Sequence, residues 1–419
     1  MDKPSNAGIE NSPEAETEEV MVQEVEVKPV RVKQVGEQTI SRRTLLRSGA
    51  ALAGLTFLPT VNLAQAFKVQ PGEEVVPWLD QPAENPVPQI AANLLVWENV
   101  DSWITPNSDF FSVSHFGRQS VDANAWRLEI GGLVDNPMTL TLADLKARAR
   151  QEVDFTVECA GNTGLPFLIG AVGNARWTGT PLAALLTEAG VQEGGVEVVF
   201  YGSDVGDIEV REIPMAVNFA RSMSLQDAMS PDNLLVYDMN GAPLPEPNGF
   251  PMRLIAPGWY GIANVKWLKH IEVRASRYMG HFMAREYVTI RQEEQGGEKV
   301  WLETSVGRAR LKSVPANVVR TGDRYQIRGA AWGAPVQRVE VQIDGGPWQN
   351  AQLGEGRDDD FTWTFWSLDW DAASGEHDIS SRAFDADGNV QPAPSDPVIA
   401  DKHTYWESNG QVTRHVRIG

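Results

Sequence analysis

The chain reads as an α+β domain followed by an all-β sandwich, and three observations lead there. Strand-like and helix-like segments mix without a regular βαβ rhythm over residues 104–287. Turn signals between alternating segments recur at roughly ten-residue intervals from residue 288 onward. The chain has 419 residues, and the part left after the N-terminal leader described below is longer than one hydrophobic core usually spans.

Residues 1–66 read as a leader. Ser41-Arg42-Arg43-Thr44-Leu45-Leu46-Arg47 precedes an apolar run at 49–59 and then Ala64-Gln65-Ala66, the pattern of a twin-arginine export signal with cleavage before Phe67. The apolar run is shorter than the roughly 20 residues a bilayer span needs. The preceding stretch, 9–38, is rich in Glu and Val without an aromatic residue and reads as disordered; Met21 offers a second possible start. The expected location is periplasmic, or otherwise exported by this route.

Residues 67–103 carry Pro71, Pro77, Pro82, Pro86 and Pro88 and read as an extended arm. Residues 126–130 alternate as a strand, and Gly131-Gly132 punctuates it. Thr141 caps a short helix. A second helix is expected over 182–189 and a strand over 196–201. Beyond 288, strands are expected over 325–329, 336–343, 362–366 and 377–384, with turns at Asp344-Gly345-Gly346 and Asp387-Gly388-Asn389.

Charge narrows the function. The chain carries 36 Lys+Arg against 56 Asp+Glu, a net charge of −20, and without residues 1–66 the balance is 29 against 47, or −18. So acidic a surface argues against nucleic acid and anionic membranes as partners. It suits solubility, or the steering of a basic electron acceptor such as a cationic cytochrome. Cys159 is the sole cysteine, so the chain has no internal disulfide, no C-x-x-C-H haem attachment and no cysteine set for an iron-sulfur cluster.

A lone thiol is often a small buried hydrophobe. Glu158-Cys159-Ala160-Gly161-Asn162, however, presents a soft ligand on a loop whose glycine allows close backbone approach. This run, with GNARWTGTPLAALL at 173–186, VVFYGSD at 198–204 and the stretch 234–273, resembles the sulfite oxidase family of molybdenum enzymes over about residues 104–400. The resemblance implies a molybdopterin-binding oxidoreductase domain at 104–287. It implies an immunoglobulin-like dimerisation domain at 288–419, where RVEVQIDGGPW and RAFDADGNVQP match, and hence a homodimer.

The family's reaction is oxygen-atom transfer, and its cofactor is molybdenum held by a pyranopterin dithiolene with one cysteine ligand, here Cys159. By motif matching His115, Asp204, Arg253 and Lys266 would hold the pterin and its phosphate, since a buried phosphate needs cationic donors. Trp177 would line the substrate pocket and Asn162 would orient the cysteine. Electrons would leave to a separate acceptor.

Three departures concern the substrate. Val113 stands where the family shows an arginine, Thr163-Gly164 follow Asn162 where it shows two arginines, and Phe219 stands where it shows a tyrosine. Arg221, Arg211 or Arg176 could replace the missing charge. The leader, the layout and VPWLDQP at 76–82 are similar to the sulfane dehydrogenase subunits of this family, so the expected substrate is sulfite or carrier-bound sulfane sulfur. The alternatives are a reductase of S-oxides and a cofactor-binding homologue acting as an interaction protein.

Overall fold

The computed structural model describes residues 68–354 and 360–419. The expected leader, export signal and cleavage site lie outside the described residues.

Two five-stranded sheets form the first half. In one, the order is Ala242–Pro243, Leu234–Met239, Val172–Pro181 and Gln151–Glu158, with Arg253–Ile255 also pairing to Leu234–Met239, all antiparallel. In the other, the order is Met138–Leu140, Leu128–Gly132, Leu268–Arg274, Glu197–Val210 and Ile213–Ser224. There only Leu128–Gly132 and Leu268–Arg274 run parallel. The expected punctuation at Gly131-Gly132 is there: the strand takes in both residues and ends at Gly132. A Cβ on Gly132, at φ 81°, would lie 2.2 Å from the Val273 carbonyl oxygen, so the glycine serves close strand approach.

The helices fall where the sequence puts them. Thr141 caps Leu142–Lys146 with a capping box, its hydroxyl accepting from the Asp144 amide while the Asp144 carboxylate accepts from the Thr141 amide. Helix Leu182–Ala189 buries Leu182, Leu185, Leu186 and Ala189, an i, i+3, i+4, i+7 stripe, and ends at left-handed Gly190. Burial of each leucine contributes about 1.5–3 kcal/mol. The strand expected over 196–201 is longer, Glu197–Val210.

The second half is a sandwich. One sheet runs Glu74–Val76, Lys312–Thr321, Arg324–Trp332, Thr364–Trp370, Gln352–Leu353, and the other Gln349–Asn350, Val336–Ile343, Gly375–Asp385, Val412–Ile418. Val318 and Ile327 from the first share a core with Val339, Val341, Ile379 and Val416 from the second, as aligned sheet packing requires. The hairpin Val288–Gln295 and Glu298–Ser305 pairs only with itself among the described strands. The proline-rich arm adds its strand to the sandwich edge, and buried Trp78 donates to the Ala316 carbonyl.

Candidate functional site around Cys159

Cys159 follows directly on strand Gln151–Glu158, its amide donating to the Ala171 carbonyl at 2.8 Å while its own carbonyl accepts from the Asn162 amide at 2.9 Å. These bonds turn the chain just past the strand and set Cys159 on the wall of a cleft that Phe110, Phe111, Val113, Phe219 and Tyr287 also line, the mix of apolar walls and few polar groups usual for small-molecule sites. His115, Asp204, Arg253 and Lys266 line the same cleft. The five side chains come from four separate stretches of sequence, Arg253 and Lys266 sharing one.

Local structure explains each arrival. The register between Glu197–Val210 and Ile213–Ser224 shifts between Tyr201 and Val205; such an irregularity re-aims side chains, and Asp204 lies in it. Gly249, at φ 112°, would carry a Cβ 3.1 Å from the Cβ atoms of both Arg253 and Lys266. Its bare backbone lets the two cations approach each other.

Burial and charge give the cleft its character. Arg253 is buried, with Nη1 donating to the Asn248 carbonyl and Nη2 to the Asn264 carbonyl. Its guanidinium lies 5.0 Å over the Trp177 ring. No carboxylate pairs with it among the described residues, and burial lowers it to about 9. Lys266 donates to Ser114 Oγ and to the Pro247 carbonyl, and burial, with Arg253 nearby, holds it well below its ordinary range. Asp204 is raised to about 6 by burial, against the pull of Lys266 and Lys269. Burial, then Lys266 and His281, lower His115 to about 4, so it is neutral at pH 7. Burial pushes the Cys159 thiol up to about 11, with Glu158 adding to the rise and the Gly161 amide and Lys312 opposing it.

These residues fit the family's cofactor. Asp204 Oδ1 and Arg253 Nε are buried without a hydrogen-bond partner, an arrangement that is costly unless a ligand completes it. Two cations without a paired carboxylate suit a phosphate. A soft metal would turn the thiol into a thiolate at neutral pH. Among the described residues no three His, Cys, Asp or Glu side chains converge to hold a metal, so a metal at Cys159 would take its other ligands from a non-protein group.

Several expected residues stand elsewhere. Trp177 is fully buried behind the wall rather than on it, its indole donating to the Phe155 carbonyl and meeting the Phe110 ring edge-on. Arg221 is also off the wall; its guanidinium is taken up by the Phe282 and Val306 carbonyls. Arg176 is ion-paired with Asp154 at 2.8 Å, and Arg211 sits at the exposed tip of the hairpin joining Glu197–Val210 to Ile213–Ser224. None of these three arginines supplies a cleft cation. The Asn162 side chain holds the cysteine loop, Oδ1 accepting from the Ala171 amide and Nδ2 donating to Glu158, while its backbone amide, like that of Gly161, faces the thiol.

The departures are built into the fold. Val113 and Phe219 line the cleft, and Phe219 stacks on His115 with centroids 5.4 Å apart. A Cβ on Gly164 would lie 2.1 Å from the Tyr405 carbonyl oxygen, so an arginine there cannot be accommodated without moving backbone. Sequence reasoning missed Tyr287, which lines the cleft and meets His115 Nε2 at 2.7 Å. It also missed Lys312 and Trp332, which reach Glu158 from the sandwich.

The comparisons agree with this geometry. Residues 115–282 match the family model for the oxidoreductase molybdopterin binding domain, and residues 302–407 that for the Mo-co oxidoreductase dimerisation domain. Mitochondrial sulfite oxidase of Homo sapiens is 31% identical over 79% of this chain, and the chain spans 66% of that protein's length. The chain spans 59% of the length of the Rattus norvegicus protein. Sulfite oxidase of Gallus gallus is 32% identical, with 71% of this chain and 70% of that protein covered. The crystal structure of the sulfane dehydrogenase SoxCD from Paracoccus pantotrophus matches with a TM-score of 0.67 at 25% identity, covering 89% of this chain and 96% of that one. With both domain models matched in order and the cysteine, cations and carboxylate gathered at one cleft, the chain belongs to the sulfite oxidase family of molybdopterin-binding oxidoreductases.

Proposed function

We propose that this chain is an exported molybdenum-cofactor oxidoreductase that oxidises a sulfur compound by oxygen-atom transfer, forms a homodimer through its sandwich, and hands electrons to a separate acceptor. One observation carries the reading: Cys159, His115, Asp204, Arg253 and Lys266 line one cleft, and two of them have buried polar atoms without partners. Family membership and the export signal in the leader sequence support the rest. Among the described residues no helix is long and apolar enough to cross a membrane. No haem is expected in this chain.

When bound, the cofactor supplies the oxygen-atom and electron exchange; overall the substrate sulfur gains one oxygen from water and two protons and two electrons are released. The chain's own residues bind and orient. Cys159 would hold the metal as thiolate, Arg253 and Lys266 would hold the phosphate, and Asp204 and His115 would offer the pterin its polar partners. Tyr287 is held protonated, chiefly by burial, and its hydroxyl pairs with His115 Nε2, which fixes the orientation of the imidazole ring.

The wall favours a tethered or weakly charged sulfur over a free dianion. Val113, Phe219, Phe110 and Phe111 make much of it apolar. The charged groups felt at the Cys159 sulfur are Glu158 and Lys312, and all three Lys312 protons are already used. A desolvated dianion without cationic donors loses several kcal/mol of binding.

The test offers loaded, leader-processed protein an artificial one-electron acceptor, with sulfite or with a protein-bound persulfide as donor. Faster reduction with the protein-bound sulfur is expected. Absence of reduction with every sulfur donor, or oxidation of a reduced dye on adding a sulfoxide, would overturn the proposal.

A further inference from the structure

We infer that Lys312 and Trp332 of the second domain are positioning residues for Cys159, so that the cysteine loop takes its working form only when the sandwich is docked on it. This rests on the reading of Cys159 as the metal ligand. Lys312 and Trp332 are cross-strand partners on Lys312–Thr321 and Arg324–Trp332, so they reach the loop together. Lys312 Nζ donates to Glu158 Oε1 at 2.5 Å, to Thr163 Oγ1 at 3.0 Å and to the Asn162 carbonyl at 3.3 Å. Three donors thus meet three acceptors, and every acceptor lies within four residues of Cys159.

The carboxylate is held as completely. Glu158 Oε1 also accepts from Asn162 Nδ2 at 2.9 Å, and Oε2 accepts from Trp332 Nε1 at 2.8 Å. The backbone of the second domain adds two bonds, from the Glu407 amide to the Ala160 carbonyl and from Thr163 Oγ1 to the Ser408 carbonyl. Residues 158, 160, 162 and 163 are therefore all gripped by the sandwich, on both sides of Cys159.

Stability alone does not account for this arrangement. The Lys312 and Glu158 side chains are both fully buried, and a buried ion pair is often no more stable than an apolar pair of the same volume. What the pair supplies is one geometry: with every Lys312 proton and both Glu158 carboxylate oxygens engaged, the loop cannot shift without stranding a charge. Orientation of a metal ligand by outer partners is the usual use of such a network.

The test compares Lys312→Met, Trp332→Phe and the charge-neutral double variant Glu158→Gln/Lys312→Met with Arg328→Met. The last breaks the Arg328–Glu73 ion pair within the sandwich, away from the loop. Two readouts are taken. Because Cys159 is the sole cysteine, intact-mass measurement of iodoacetamide alkylation in cofactor-free full-length protein reports on this thiol alone. In loaded protein, the electron paramagnetic resonance signal of the half-reduced metal reports on its ligand geometry.

Lys312→Met is expected to speed alkylation about tenfold or more, as a locally opened loop would, and to shift the signal. The double variant should recover thermal stability yet keep both changes. A double variant with wild-type alkylation and signal, or Arg328→Met producing the same changes, would overturn the inference. An unchanged signal in Cys159→Ser would instead remove Cys159 as the ligand, a failure of the underlying reading that the alkylation rates of the other variants do not share.

Discussion

Asp204→Asn should stabilise the cofactor-free protein and cost it the cofactor. Asp204 is 3% exposed, its Oδ1 has no partner, and burial raises it from an ordinary 3.8 to about 6. Holding it ionised at pH 7 therefore costs about 3 kcal/mol at 1.36 kcal/mol per pH unit. An isosteric amide removes that cost. Asp204 also supports the charge on Lys266, so part of the gain is returned and a net of about 2 kcal/mol is expected.

The pH dependence fixes the sign. A carboxyl with a raised folded pKa binds more protons folded than unfolded between 3.8 and 6, so its penalty is complete above about 6 and gone below 3.8. His115 works oppositely: lowered from 6.5 to about 4, it binds more protons unfolded, and stability falls as pH drops through that window. In the wild type the two largely offset, each being worth about 3 kcal/mol. In Asp204→Asn the His115 loss stands alone. Urea unfolding of both proteins at pH 4, 5, 6 and 7 checks this. A variant less stable than wild type at pH 7, or one whose advantage grows toward pH 4, would refute the reasoning.

Four further outcomes follow from the same geometry. Val113→Arg puts a cation on the apolar wall and should lower KM for sulfite, by about tenfold for one charged hydrogen bond; substrate titration reads it. Arg253→Lys keeps the charge but loses the fork to the Asn248 and Asn264 carbonyls, and pterin released from purified protein should fall about tenfold or more. Gly164→Ala places a methyl 2.1 Å from the Tyr405 carbonyl oxygen and should destabilise by about 1–3 kcal/mol, read by thermal denaturation. Tyr287→Phe leaves His115 Nε2 without its 2.7 Å partner and should cost about 1–3 kcal/mol in urea unfolding, since a buried ring nitrogen is left unpaired.

Much of this molecule could be read before its structure. The stripe Leu182, Leu185, Leu186, Ala189 and the capping box at Thr141 use local rules, and both helices appear where those rules put them. The cleft residues His115, Asp204, Arg253 and Lys266 were legible only through the family resemblance, because no spacing rule joins stretches so far apart in the sequence. Gly131-Gly132 was legible as the end of a strand, but not as the point where that strand closes on the Val273 carbonyl, because nothing local names the neighbouring strand. Arg221 misled because a guanidinium beside a pocket motif looks like a ligand until its carbonyl partners are seen. Lys312 was illegible: 153 positions separate it from Cys159, and nothing in a strand sequence says which domain its side chain will serve.

The central claim is that Cys159 ligates a molybdenum held in this cleft. X-ray absorption at the metal edge, compared between loaded wild type and Cys159→Ser, tests it most directly. The account predicts the loss of one sulfur scatterer with pterin content largely unchanged. An identical sulfur count in the two proteins would contradict it.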